Sequence, residues 1–160
     1  MAEGSSKLVG SAWDARLSTG VSLLDEQHIA LFDCLQYLER ATAQKAMLAT
    51  FHAMEQLSRY VRDHFSAEEH LMKVSCYPGL AEHVNEHRVF CDKLFELRKT
   101  YLDHDISSDL IDFLRAWLEQ HVAQTDMAYV PYLKGHRVDA DACAALAPTQ
   151  AGRPQDPLEW

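Results

Sequence analysis

Val61-Arg62-Asp63-His64-Phe65-Ser66-Ala67-Glu68-Glu69-His70-Leu71-Met72 is the stretch on which the fold turns. Val61, Phe65, Glu68 and Met72 continue a stripe begun by Phe51, Met54 and Leu57. Steps of three and four residues are the period of an amphipathic α-helix, so the pattern predicts a helix from about Gln44 to Met72. The polar members of the stripe matter most. His64 and Glu68 are four apart, hence offset by only about 40° on a helix, and both fall on the face that packing alone would fill with aliphatic residues.

The same period recurs on either side. Leu24, His28, Leu31, Leu35 and Leu38 mark a first helix over Ser22 to Ala41. After a break at Val74 to Gly79, where Tyr77-Pro78-Gly79 stops one helix and Pro78 opens the next, a third spans Pro78 to Leu102. Its stripe reads Leu80, His83, His87, Phe90, Leu94, Leu97 and Tyr101. Ser107 or Ser108 is the expected N-cap of a fourth helix, whose stripe is Leu110, Leu114, Trp117, His121 and Thr125. Strand-like alternation is absent, and the connections are short. The expected class is therefore all-α, an antiparallel up-down-up-down four-helix bundle over residues 22–133. Residues 1–21 read as an N-terminal arm with Trp13 as its anchor. Residues 134–160, rich in Ala, Pro, Gly, Gln and Asp, read as a loosely held C-terminal tail.

Composition narrows the partners. A chain of 160 residues has room for one core. Fifteen basic against 24 acidic residues give a net charge of −9 with no basic run, which argues against nucleic acid. No stretch approaches the roughly 20 apolar residues of a membrane span, and Met1 to Gly10 lacks a signal-peptide pattern, so the expected location is the cytoplasm. Cys34, Cys76, Cys91 and Cys143 show no paired spacing and read as reduced thiols. A monomer is expected, since the bundle closes its own core.

Nine histidines are the unusual feature. His28, the His64/Glu68 pair, the His83/His87 pair and His121 place at least one imidazole on the core face of every helix. Burying a polar ring without a partner costs roughly 1–3 kcal/mol, so five at one level would cancel much of a domain's net stability of about 5–15 kcal/mol. Metal coordination removes the conflict, and imidazoles with carboxylates inside a helical bundle point to a two-metal site. His83-Val84-Asn85-Glu86-His87 also spells a zinc-peptidase signature, but that reading leaves His28, His64, Glu68, His121 and Asp126 unexplained and places Glu86 on the solvated flank. A ferritin-like oxidase would repeat Glu-x-x-His, which occurs nowhere in the chain. His52, His70, His104 and His136 lie off the stripes, in turns or in the tail, and are not expected as ligands.

The ordered pattern of a lone His, His-x-x-x-Glu, His-x-x-x-His and His-x-x-x-x-Asp resembles the bacteriohemerythrins. The likeness includes Asp25-Glu26-Gln27-His28, His64 to Glu69 with Met72, Tyr77-Pro78, and Trp117-Leu118-Glu119-Gln120-His121 leading to Asp126. It implies a metal set of His28, His64, Glu68, His83, His87, His121 and Asp126. His83, His87 and His121 would hold one iron and His28 and His64 the other, with Glu68, Asp126 and an oxo or hydroxo group as bridges. The implied function is reversible dioxygen binding at the two-histidine iron, for carriage, storage or delivery of oxygen rather than as an enzyme, with an oxygen-consuming enzyme as the partner that delivery would need. Dioxygen or redox sensing, and iron storage or peroxide chemistry, would use the same site. Leu31, Phe65, Trp117, Leu118 and Val122 are the expected dioxygen pocket. One geometric conflict stands out: His121 and Asp126 are five apart, about 140° on an ideal helix, which requires either a π-type widening or an approach from the flank.

Overall fold

The computed structural model describes residues 12–44, 47–101 and 103–135. Among these the chain is helical without strands. After a 3-10 turn at Ala15–Leu17, α1 covers Ser22–Ala43, α2 Met47–Val74 and α3 Leu80–Tyr101. The last rod is composite: α4 covers Ser107–Trp117, a π-helix covers Leu118–Thr125, and α5 covers Asp126–Gly135. α1 packs on α2 and α4, and α3 packs on α2 and α4, which is the neighbour pattern of an antiparallel four-helix bundle.

Helix ends differ from the sequence expectation for identifiable reasons. Pro78 does not open α3. The chain leaves α2 through Cys76, whose φ of 53° is left-handed, with Cys76 N–H donating to Lys73 C=O (3.2 Å) and Tyr77 N–H to Met72 C=O (2.9 Å). That pair of bonds is a Schellman stop, normally made by glycine. Neither Ser107 nor Ser108 is the N-cap of α4. Ile106 holds that position with no side-chain cap bond, and Asp105 instead accepts from Ser107 N–H (2.9 Å) and Ser107 Oγ (2.6 Å). An ionised side chain satisfies the orphan donor better than a serine hydroxyl that is itself engaged with Thr50 Oγ1 at 2.6 Å.

The expectation of four reduced thiols is also corrected. Cys76 is disulfide-bonded, whereas Cys34 and Cys91 are not. Spacing along the chain, on which that expectation rested, carries no information about proximity across a fold. Cys143 lies outside the described residues. Cys34 is packed in the bundle, where burial pushes its thiol up to about 11.

The core falls into two apolar clusters with a polar layer between them. The larger contains Leu31, Phe32, Leu35, Leu57, Val61, Phe90, Leu94, Leu114, Leu118 and Val122. The smaller contains Leu24, Met72, Leu80, Tyr129 and Val130. His28 lies between Leu24 and Leu31 in sequence, His64 and Glu68 between Val61 and Met72, and His83 and His87 between Leu80 and Phe90. On the last rod His121 and Asp126 lie between Leu118 and Tyr129. Every helix therefore crosses from one dry cluster to the other through this polar level, which has apolar packing above and below it.

The arm is fastened to the start of α1. Asp25 accepts from Ser18 Oγ (2.5 Å), Thr19 N–H (2.7 Å) and Thr19 Oγ1 (2.8 Å), and Gly20 turns the chain with a φ of 79°. Trp13 thereby lies with its ring centroid 6.0 Å from that of His28 and edge-on to Phe32 at 5.8 Å. Among the described residues, no helix is long and apolar enough to cross a membrane. Residues 1–11 of the arm and 136–160 of the tail lie outside the described residues.

Candidate metal centre

All seven side chains singled out in the sequence converge, each at most 3% exposed. Among the described residues they form two overlapping groups, Glu68 with His83, His87 and His121, and Glu68 with His28, His64 and Asp126. Within each group the ligand atoms lie within 4.8 Å of one another. Glu68 Oε2 is 3.1 Å from His87 Nε2, 3.4 Å from His64 Nε2 and 3.5 Å from His83 Nε2. Asp126 turns Oδ2 toward His28 Nε2 (3.1 Å) and Oδ1 toward His121 Nε2 (3.1 Å) and His83 Nε2 (3.4 Å). Each carboxylate thus faces both groups.

The five-residue spacing is resolved by the backbone. Leu118–Thr125 is a π-helix, and Asp126 N–H donates to His121 C=O. Bonding from i to i+5 brings residues five apart onto one face, so Asp126, 0% exposed, points inward together with His121.

The outer ring nitrogens decide the protonation of the inner ones. His87 Nδ1 donates to Glu69 Oε1 (3.0 Å), His121 Nδ1 to Glu86 Oε2 (2.8 Å) and His64 Nδ1 to Gln27 Oε1 (3.1 Å). An imidazole that donates from Nδ1 in its neutral form presents a bare lone pair at Nε2. His87 Nε2 and His121 Nε2 nevertheless face each other at 3.2 Å, with His64 Nε2 and His28 Nε2 at 3.1 Å. His83 Nε2 and both oxygens of Asp126 are buried without a hydrogen bond, their neighbours being close but not aligned as donors. Five imidazole Nε2 atoms and two carboxylates converging in a buried layer, with His83 Nε2 and both Asp126 oxygens lacking a hydrogen bond, are what a cation requires. The donor set fits a pair of metal ions.

Electrostatics agrees for the carboxylates and for His64. Burial pushes the Glu68 carboxyl up, but His64, His83 and His87 outweigh it and hold the group well below the usual range. Asp126 is likewise lowered, because His121 and His28 overcome burial and the Glu68 charge. Burial carries His64 down to about 4, so it is neutral and ready to ligate at neutral pH.

Of the expected pocket residues, Leu31, Phe65, Leu118 and Val122 are buried in the larger cluster and Trp117 packs against it half-buried. Phe65 stacks on His87 (3.8 Å, 6°) and Trp117 on His121 (4.1 Å, 18°). Those two rings therefore cover the three-histidine side directly, while Phe65 also approaches His64 at 5.8 Å. His52, His70 and His104 take no part in either group, and His136 lies outside the described residues.

Sequence reasoning missed four participants. Tyr129, fully buried, donates its hydroxyl to Glu68 Oε1 at 2.5 Å, and burial with the nearby carboxylates pushes its phenol far up. A tyrosine in an apolar helical stretch carries no sign of this. Gln27, Glu69 and Glu86 did leave a trace, since each adjoins a member of the cluster, but Glu86 had been placed on the solvated flank. Its side chain is 43% exposed, yet its carboxylate is bonded to His121.

Comparison with known proteins agrees with this geometry. The family model "Hemerythrin HHE cation binding domain" matches residues 19–133. A bacteriohemerythrin of Stenotrophomonas maltophilia is 31% identical over 125 residues, covering 78% of this chain and 82% of that protein. One from Methylococcus capsulatus is 29% identical, covering 74% and 92%, and a myohemerythrin of Riftia pachyptila is 30% identical, covering 73% and 88%. The crystal structure of a leucine-to-tyrosine mutant of hemerythrin aligns with a TM-score of 0.71 at 28% identity, covering 78% of this chain and 97% of that one.

Proposed function

Because the chain belongs to the hemerythrin family, we propose that it binds dioxygen reversibly at a pair of iron ions held by His28, His64, Glu68, His83, His87, His121 and Asp126. The observation that carries this reading is the convergence of five imidazole Nε2 atoms on two buried carboxylates, with both Asp126 oxygens and His83 Nε2 left without a hydrogen bond, an arrangement that two cations would satisfy. His83, His87 and His121 would hold one iron and His28 and His64 the other, with Glu68 and Asp126 available to both. When bound, the iron pair supplies the electrons that hold dioxygen.

The chain's own part is orientation and exclusion of water. Outer hydrogen bonds fix the tautomers of His64, His87 and His121 so that Nε2 faces the axis. Tyr129 fixes Glu68 from the opposite side. The apolar clusters above and below keep bulk water and stray protons from the layer, which favours release of dioxygen unchanged over its loss in reduced form. The role that follows is carriage or delivery of dioxygen without turnover.

The deciding measurement is iron content together with visible absorption of the reduced protein under alternating air and vacuum. Two irons per chain and a band that appears with air and fades on deoxygenation are expected. One zinc per chain with no such band would overturn the reading. The dry wall can be tested separately. Leu118, 1% exposed, precedes His121 by three residues. Leu118→Asn is expected to retain iron while autoxidising roughly tenfold faster, equivalent to lowering the barrier by about 1.4 kcal/mol. An unchanged rate would remove Leu118 from the wall.

A further inference from the structure

Gln27, Glu69 and Glu86 form a directional ring around the centre. Gln27 of α1 takes the Nδ1 proton of His64 on α2, Glu69 of α2 takes that of His87 on α3, and Glu86 of α3 takes that of His121 on the last rod. The regularity has a geometric cause. A residue next to an inward-facing one is turned about 100° away from it, toward a neighbouring helix. Stepping back by one on α1 and α3, and forward by one on the antiparallel α2, turns the side chain in the same sense when viewed from one end of the bundle. The corresponding position on the last rod is Val122, one after His121, which is apolar, and His28 Nδ1 is buried with no partner.

The links are unequal in charge. Two carboxylates serve His87 and His121 of the three-histidine group, whose His83 Nδ1 is buried without a partner, while the two-histidine group has the neutral amide of Gln27 on His64. A carboxylate on Nδ1 draws the ring toward imidazolate and makes Nε2 a stronger donor. We propose that Glu69 and Glu86 are positioning residues that widen the inequality already set by three histidines against two, so that the three-histidine iron is held more tightly and is stabilised as ferric, leaving the two-histidine iron the more labile one. This rests on the two-iron reading above.

The experiment uses the iron-loaded full-length chain, a ferrous chelator and a redox titration, with circular dichroism confirming the fold of each variant. Wild-type protein is expected to release iron in two phases of equal amplitude. In the double variant Glu69→Gln with Glu86→Gln, which keeps an acceptor oxygen but removes both charges, the slow phase is expected to quicken at least about tenfold with the fast phase unchanged. The midpoint potential is expected to move positive. Gln27→Glu, which adds a charge to the other group, is expected to slow the fast phase and move the potential negative. Equal acceleration of both phases, or potentials that stay in place in both variants, would show a merely structural role and overturn the inference while leaving the two-iron reading intact. Wild-type protein that loads fewer than two irons would instead overturn both.

Discussion

Replacing Glu68 with alanine is expected to reduce iron from about two per chain to one or none, because Glu68 belongs to both ligand groups and its loss leaves Asp126 as the one carboxylate between them. Its oxygens lie between 3.1 and 3.9 Å from Nε2 of His87, His64, His83 and His28. Removing the carboxylate takes a bridging charge from a fully buried layer and leaves Tyr129 Oη without its acceptor, at a further cost of about 1–3 kcal/mol in stability. Glu68→Gln separates the two effects. It preserves volume and an acceptor for Tyr129, and should still fail to load two irons because the charge is gone. Iron assay after desalting checks both variants. Retention of two irons by Glu68→Ala would exclude Glu68 as a bridge.

Removing the metal from the native chain is the second large effect. An ion pair bound about a thousandfold above its dissociation constant contributes about 4 kcal/mol, which for a chain of this size is a fall of about 8–16 °C in melting temperature on chelation. The cause is the layer itself, in which the Asp126 carboxylate and His83 Nε2 have no hydrogen bond. The gap should depend on pH. In the metal-free chain, burial pushes His87 and His121 down, but Glu68 and Glu69 for the first, and Asp126 and Glu68 for the second, outweigh it and raise both. Groups raised in the folded state stabilise it below the ordinary histidine range, and that contribution is lost as pH rises through their folded values. Metal binding also displaces those protons, so the difference between loaded and metal-free protein should widen with rising pH. Scanning calorimetry of both forms across the neutral range checks this. A melting temperature indifferent to chelation would mean that the layer is satisfied without an ion.

What the sequence determined by itself is whatever repeats at the period of a helix. Leu24, His28, Leu31 and Leu35, or Val61, Phe65, Glu68 and Met72, select helix and buried face together, because steps of three and four are a property of one helix alone. The same arithmetic set His64 with Glu68 and His83 with His87. It also exposed the conflict between His121 and Asp126 without resolving it, since widening and flanking approach are equally compatible with a spacing of five. Tertiary structure decided the rest, for one reason: these features depend on how one helix lies against another. The π-helix at Leu118–Thr125 turns Asp126 toward histidines on α1 and α3. The hydroxyl of Tyr129 meets a carboxylate 61 positions away, and Glu86 reaches His121 across 35. Asp105 displaces the expected serine cap, and Cys76 departs from the expected thiol, because each answers to neighbours that local periodicity does not encode. A helix face can be read from one strand of sequence, but a hydrogen bond between two faces requires their relative rotation and distance, which packing alone supplies.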